Sequence, residues 1–297
     1  MKLSSICILM VVAVSLQAKE IDESRDVQAD GLIKIEILRG EIKIKGWSET
    51  RVQIKGELDE LAEGLRFEVR EGVTKIEVEM PRKHVNWGDG SDLIIYVPIR
   101  SRVAVKAVST DIEVRDVLGG MQLRSIIGDI ILENGQERMS IKTVSGSIET
   151  TNTSGTVQAN SASGDIGVRD HQGDLVIETL SGDIDIEARL VGHLRGASIS
   201  GDVMIEAEFS QNVSAELTTV SGDIGVNIGG PLDLKFRVNS NSGDIGNGLS
   251  EDEVVNEFGM RSLQGQVGSG ASYPCGDALC GCHLAYHSIA RHHLTDP

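Results

Sequence analysis

The chain has 297 residues, a formal net charge of −17 and an aromatic content of only 3%. So acidic a balance repels phosphate backbones and argues against nucleic acid as a partner. With so few rings, the core has to be built from Ile, Val and Leu, residues that stack along β-strands.

Residues 1–18 carry Lys2, an apolar run from Ile6 to Leu16, and Gln17-Ala18 ahead of the charged Lys19-Glu20. This order predicts a secretory signal peptide cleaved after Ala18. The run is shorter than the roughly 20 residues that span a bilayer, and Cys7 lies inside it, too early for a lipidation site. The mature protein is expected to be exported, periplasmic or at the cell surface, with no transmembrane segment.

Residues 19–108 alternate or run apolar between turns at Leu32–Leu38, Glu41–Lys45, Arg51–Lys55, Leu65–Arg70, Lys75–Glu79 and Leu93–Val97. These segments predict strands without a strict period, a β-rich cap in which Gly40-Glu41-Ile42 and Gly46-Trp47 form an early, degenerate coil. Between them, Pro81 to Asp92 carries Lys83, His84 and Trp87, a basic and aromatic loop and a candidate binding element.

From residue 109 to 270 one phrase, Ser-Gly-Asp-Ile, keeps returning. Its Asp position is filled by Asp111, Asp129, Ser147, Asp165, Asp183, Asp202, Asp223 and Asp244, in steps of 18, 18, 18, 18, 19, 21 and 21 residues. A fixed period of this size predicts a solenoid, each coil burying its apolar face only against its neighbours. Apolar residues recur at fixed offsets, Ile130, Leu132, Met139, Ile141 and Val144 in one coil and Ile166, Val168, Leu175, Ile177 and Leu180 in another. They are expected to point inward from two short strands per coil. Gly135, Gly155 and Gly173 mark the opposite corner. The fold class is therefore all-β: a single-chain β-solenoid, or parallel β-helix, of about 18–21 residues per coil, flattened and two-sided, with Gln266 as its last register position.

Residues 271–297 break the pattern. Cys275, Cys280, Cys282 and His283 form a Cys/His group with loosely plausible soft-metal spacing, but the abrupt change of composition favours an aberrant or disordered tail. Loss of a final capping strand would leave the last coil open to self-association through the solenoid ends.

The Ser-Gly-Asp-Ile ladder, the Gly46-Trp47-Ser48 turn after a Gly-x-Ile-x-Ile strand, and Tyr96-Val97-Pro98 leading into Val103-Ala104-Val105 together resemble a bacterial family labelled putative adhesin. The resemblance covers about residues 28–270. It implies a signal-bearing, extracytoplasmic β-solenoid and supplies no catalytic residues.

The Asp column has two chemical readings. In the favoured one each carboxylate accepts backbone N–H groups of its own or the next turn, which offsets the repulsion of stacked like charges. In the other the column binds Ca²⁺, with Asp183 and Asp202 as ligands. No cofactor is expected. His84, His171 and His193 read as corner or surface residues. The outward Glu149, Thr151, Asn152, Thr153, Gln158 and Asn160 make a polar face that suits a cell-surface glycan or an envelope protein. The corners add few residues, too little to build the cleft of a polysaccharide-active β-helix enzyme, which remains the alternative beside a calcium-stabilised module. The primary expectation is a non-enzymatic structural or adhesive module of the bacterial envelope.

Overall fold

The computed structural model describes residues 19–81, 90–229, 234–240, 242, 245–246, 255–257, 260–267 and 281–286. Among these the regular structure is entirely β. The first 18 residues and the loop holding Lys83, His84 and Trp87 lie outside the described residues.

Strands β1 (Lys19–Asp26), β2 (Leu32–Trp47), β3 (Arg51–Leu58), β4 (Gly64–Arg70), β5 (Val73–Glu79) and β6 (Ser91–Pro98) precede the regular coils. β2 is already one coil. It bends at Gly40 and pairs in parallel along both halves with β7 (Arg102–Arg115), Ile33 opposite Val103 and Ile42 opposite Ile112. The early coil expected at Gly40-Glu41-Ile42 is therefore present. The segment between β2 and β7 folds back as a cap: β5 and β6 lie parallel to the two halves of β2. Antiparallel strands close each wall, β4 on β5 and β3 then β1 on β6. The outermost strand β1, KEIDESRD, is densely charged, a composition that discourages edge-to-edge pairing.

Two walls then grow in parallel. The first receives β8 (Met121–Arg124), β10 (Arg138–Lys142), β12 (Ser154–Ser163) and the second halves of β13 (Ile166–Ser181), β14 (Ile184–Ala197) and β15 (Val203–Thr218). The second receives β9 (Ile130–Glu133), β11 (Ile148–Thr151) and the first halves of β13, β14 and β15. β16 (Asp223–Gly229) continues the second wall and β17 (Leu234–Ser240) the first.

Beyond β17 the parallel order stops. β20 (Met260–Val267) runs antiparallel to β17, and β19 (Val255–Glu257) antiparallel to β20. Gln266 is thus not a register position of a further coil, as its spacing suggested: it lies opposite Lys235 on a reversed strand. In the region read as an aberrant tail, β21 (Gly281–Tyr286) lies parallel between β16 and β18 (Ile245–Gly246), with Cys282 in register with Ile224 and Ile245.

Between the walls runs a core of stacked aliphatics. Ile112, Ile130, Ile148, Ile166, Ile184, Val203 and Ile224 make one column and Met121, Met139, Val157, Leu175 and Leu194 a facing one, all buried. Like residues repeat because each coil meets the same environment, so a branched side chain that fits once fits at every step.

Candidate functional site

The first corner joins the first wall to the second through Ser-Gly-Asp. Gly128, Gly146, Gly164, Gly182, Gly201 and Gly222 all have φ between +124° and +150°. At Gly164 a Cβ would sit 2.2 Å from the carbonyl oxygen of Gly146, so coils close to their stacking distance only if this position lacks a side chain.

The following Asp staples the coils. Oδ1 of Asp111 accepts the N–H of Asp129 (2.9 Å), Asp129 that of Ser147 (2.7 Å), Asp165 that of Asp183 (2.8 Å), Asp183 that of Asp202 (2.8 Å) and Asp202 that of Asp223 (2.7 Å). Among the described residues no matching bond runs from Asp165 to Ser147, whose side chain is shorter. Asp244 lies outside the described residues. The carboxylates thus take up backbone donors that corner geometry would otherwise leave to water. No group of three or more His, Cys, Asp or Glu side chains converges as a metal site among the described residues. Cys275 and Cys280 lie outside them, and Cys282 and His283 are fixed only by the backbone register of β21.

The opposite corner is turned by a different chemistry. Asp116, Asn134, Asn152 and Asp170 adopt left-handed φ of 53–58°. The side chains of the first three form an Asx ladder, Asn134 Nδ2 donating to Asp116 Oδ1 (2.6 Å) and Asn152 Nδ2 to Asn134 Oδ1 (2.7 Å), while Asp170 pairs with Arg189. Asn152, a candidate binding residue, sits in this ladder, and Thr151 precedes it half-buried at the end of β11. Two residues expected at the surface are inside. Thr153 is buried and bonds Nδ1 of His171 (2.9 Å), and His171 is itself buried. Burial pushes the His171 pKa down to about 4, against the opposing pull of a backbone hydrogen bond and charge at Asp174.

The largest departure from the sequence reading lies beside the Gly-Asp corner. Val144 and Leu180, expected in the core, are 52% and 56% exposed. The strand alternation that buries Met139 and Ile141 continues inward to Thr143 and therefore turns Val144 outward. The same inversion occurs in coil after coil. Ser125, Thr143, Ser161, Thr179, Ser198 and Thr219 are buried, while their successors Ile126, Val144, Leu180, Ile199 and Val220 are exposed, with Ala162 completing the row. Successive coils are tied here, Ser145 N–H to Ile126 O (2.9 Å), Ser163 to Val144 (2.8 Å), Ser200 to Leu180 (3.0 Å) and Ser221 to Ile199 (3.0 Å). These bonds hold the aliphatic side chains one above another in a continuous outward column that begins at Leu38 and Val108.

On its wall side the column is flanked by Lys106, Arg124 and Lys142, in register across β7, β8 and β10. On its other side, around the corner, stand the Asp carboxylates. A separate groove of about 500 Å³ lies on the outer face of the first wall near its far end, where His193, Ser214, Glu216, Lys235, Arg237 and Gln264 line it. His193 there bonds Ser214 Oγ (2.9 Å).

The profile of the family described as Toastrack DUF4097 matches residues 32–266, and the chain belongs to that family. Among solved structures it is similar to a putative adhesin from Bacteroides fragilis, with 13% identity over 92% of this chain and 96% of that one and a TM-score of 0.47. It is also similar to a putative adhesin from Parabacteroides distasonis (11% identity, 91% and 95% covered, TM-score 0.40). A third similar structure, a putative lipid binding protein from the same species, shows 14% identity, 72% and 91% coverage and a TM-score of 0.35. No curated protein matches the chain.

Proposed function

We propose that this chain is an exported, non-enzymatic β-solenoid that acts as a structural or adhesive binding module of the bacterial envelope, with the aliphatic column beside the Gly-Asp corner as its contact surface. The supporting observation is the inversion itself. In five coils a hydroxyl residue is buried and a branched aliphatic one follows it exposed; the hydroxyls of Ser125, Ser161, Thr179 and Ser198 donate to carbonyl oxygens of the Gly-Asp corner, whereas the aliphatic side chains stay at the surface. A stapled, two-walled rod presents such a column rigidly and adds little ordering cost on binding.

The test is retention of the purified protein on isolated envelope fragments, for the native chain and for Val144→Ser with Leu180→Ser. The expected result is retention that falls at least tenfold in the double variant while its circular dichroism stays native. No retention of the native chain, or equal retention of both, would overturn the proposal.

A further inference from the structure

We propose that the aliphatic column is a self-pairing surface on which a second copy of this chain docks side by side, the two rods parallel and related by a twofold axis that runs along them. This rests on the column being a contact surface and goes on to name its partner.

Size comes first. From Val108 to Val220 the column climbs six coil steps, about 29 Å at the spacing of neighbouring strands. With the column of Gln122, Ser140 and Gln158 as one border and the Asp row as the other, the strip is about seven residues, or 23 Å, across. Because the strip bends at the Gly-Asp corner it offers at most about 650 Å² per partner, at the low end of specific interfaces. An aliphatic centre with a polar rim is also the anatomy of such interfaces.

Charge then selects both the partner and the orientation. A molecule of net charge −17 is repelled by an anionic bilayer, which disfavours lipid as the occupant, and a second copy carries the same net charge, so its docking depends on opposite charges meeting locally along the flanks. Two copies can meet column to column in two closed ways. A twofold axis across the rods sets Asp row against Asp row and the Lys/Arg flank against itself, so like faces like throughout. A twofold axis along the rods exchanges the flanks at constant height. Lys106 then faces the second copy's Asp111 and Arg124 its Asp129, while Lys142 meets Ser147 and Asn160 meets Asp165. Like charges meet at two heights, Glu178 with Asp183 and, in the first coil, Glu36 with Glu41; Glu178 has Arg195 beside it at 3.8 Å, and Glu36 has Lys75 at 3.7 Å and Lys106 at 3.8 Å. Arg124 and Lys142 make no ion pair among the described residues, and the staples occupy Oδ1 of each carboxylate, leaving Oδ2 outside that bond. In the parallel arrangement each column residue also meets its own copy, so the contact is isologous and closed.

The experiment is sedimentation equilibrium of the protein purified from cells expressing the full chain, together with single-cysteine cross-linking in a background where Cys7, Cys275, Cys280 and Cys282 are serine. The expected results are a dimer in the micromolar range, a dissociation constant raised at least tenfold by Val144→Ser with Leu180→Ser, and self-cross-linking of Ile126→Cys, Val144→Cys and Ile199→Cys alike. Cross-linking of only a central position would mean antiparallel rods and would overturn the orientation. Species that grow beyond a dimer and ignore the column substitutions would place association at the solenoid ends and overturn the proposal. A monomer at all concentrations whose envelope retention is still lost in the double variant would also overturn it, while leaving the column as a contact surface for another molecule.

Discussion

The two corners of this solenoid solve one problem with different chemistry. At the first, the backbone of one coil comes so close to the next that only glycine fits, and the following carboxylate bonds the neighbouring coil's N–H. At the second, Asn and Asp accept left-handed backbone themselves and bond side chain to side chain. Glycine is demanded at both, since Gly155 and Gly173 beside the second corner have φ of +105° and +127° and a Cβ there would meet backbone oxygens at 2.3 and 2.1 Å; the corners differ in the hydrogen bonding that accompanies the glycine. The Asx positions of the second corner should therefore tolerate substitution better than the glycines of either corner.

Gly164→Ala gives the largest expected effect. Its Cβ would meet the Gly146 carbonyl at 2.2 Å with φ at +146°, and a loss of more than about 3 kcal/mol is expected by guanidinium unfolding. Asn152→Gly at the other corner relieves a left-handed residue while losing one exposed hydrogen bond, and should stay within about 1 kcal/mol of the native chain. Equal losses at both sites would break the contrast.

Acid distinguishes the corners next. His171 has a folded pKa near 4, below the ordinary 6.5, because burial disfavours its charged form. The unfolded chain therefore binds the proton first as pH falls. Stability is retained above about pH 6.5 and is lost between there and about pH 4, by at most about 3 kcal/mol. Unfolding measured across that window should flatten in His171→Val with Thr153→Val, aliphatics like the Val117 and Val191 buried nearby. The Arg39–Asp59 pair acts at lower pH. Asp59 is held below the usual carboxylate range chiefly by its hydrogen bond from Arg39, so its contribution fades only as pH falls through the acid range below about 4.

The staples rank third. Asp183→Ala should cost about 1.5–3 kcal/mol, since a charged acceptor of a backbone N–H is removed. The loss should be the same in calcium and in chelator; a calcium-dependent loss would replace the staple with a metal site. The smallest effect is a gain. Ser147→Asp supplies the step that lacks a staple and should add about 1 kcal/mol by thermal unfolding.

Much of this was legible in the chain. The period, the Gly-Asp corner and the inward Ile130, Leu132, Met139 and Ile141 follow from spacing and alternation, because every coil repeats one environment. The Asx positions Asp116, Asn134, Asn152 and Asp170 also recur at 18-residue steps, but Asn and Asp suit many surface turns, so their spacing alone does not distinguish a ladder from solvated residues. Val144 and Leu180 face outward despite their apolar character because each lies an odd number of positions from its inward neighbour: Val144 is three positions after Ile141, so both cannot face inward along one strand. The partners of β20 and β21 are tertiary pairings at the end of the array, where the repeat no longer constrains register.

The central claim is that the outward column serves contact rather than folding. The direct measurement is guanidinium unfolding of Val144→Ser with Leu180→Ser, at a protein concentration below that of association. The account predicts stability within about 0.5 kcal/mol of the native chain, as for surface positions. A loss of several kcal/mol, of the size expected for Leu175→Ala in the buried core, would show that the column belongs to the fold and would contradict it.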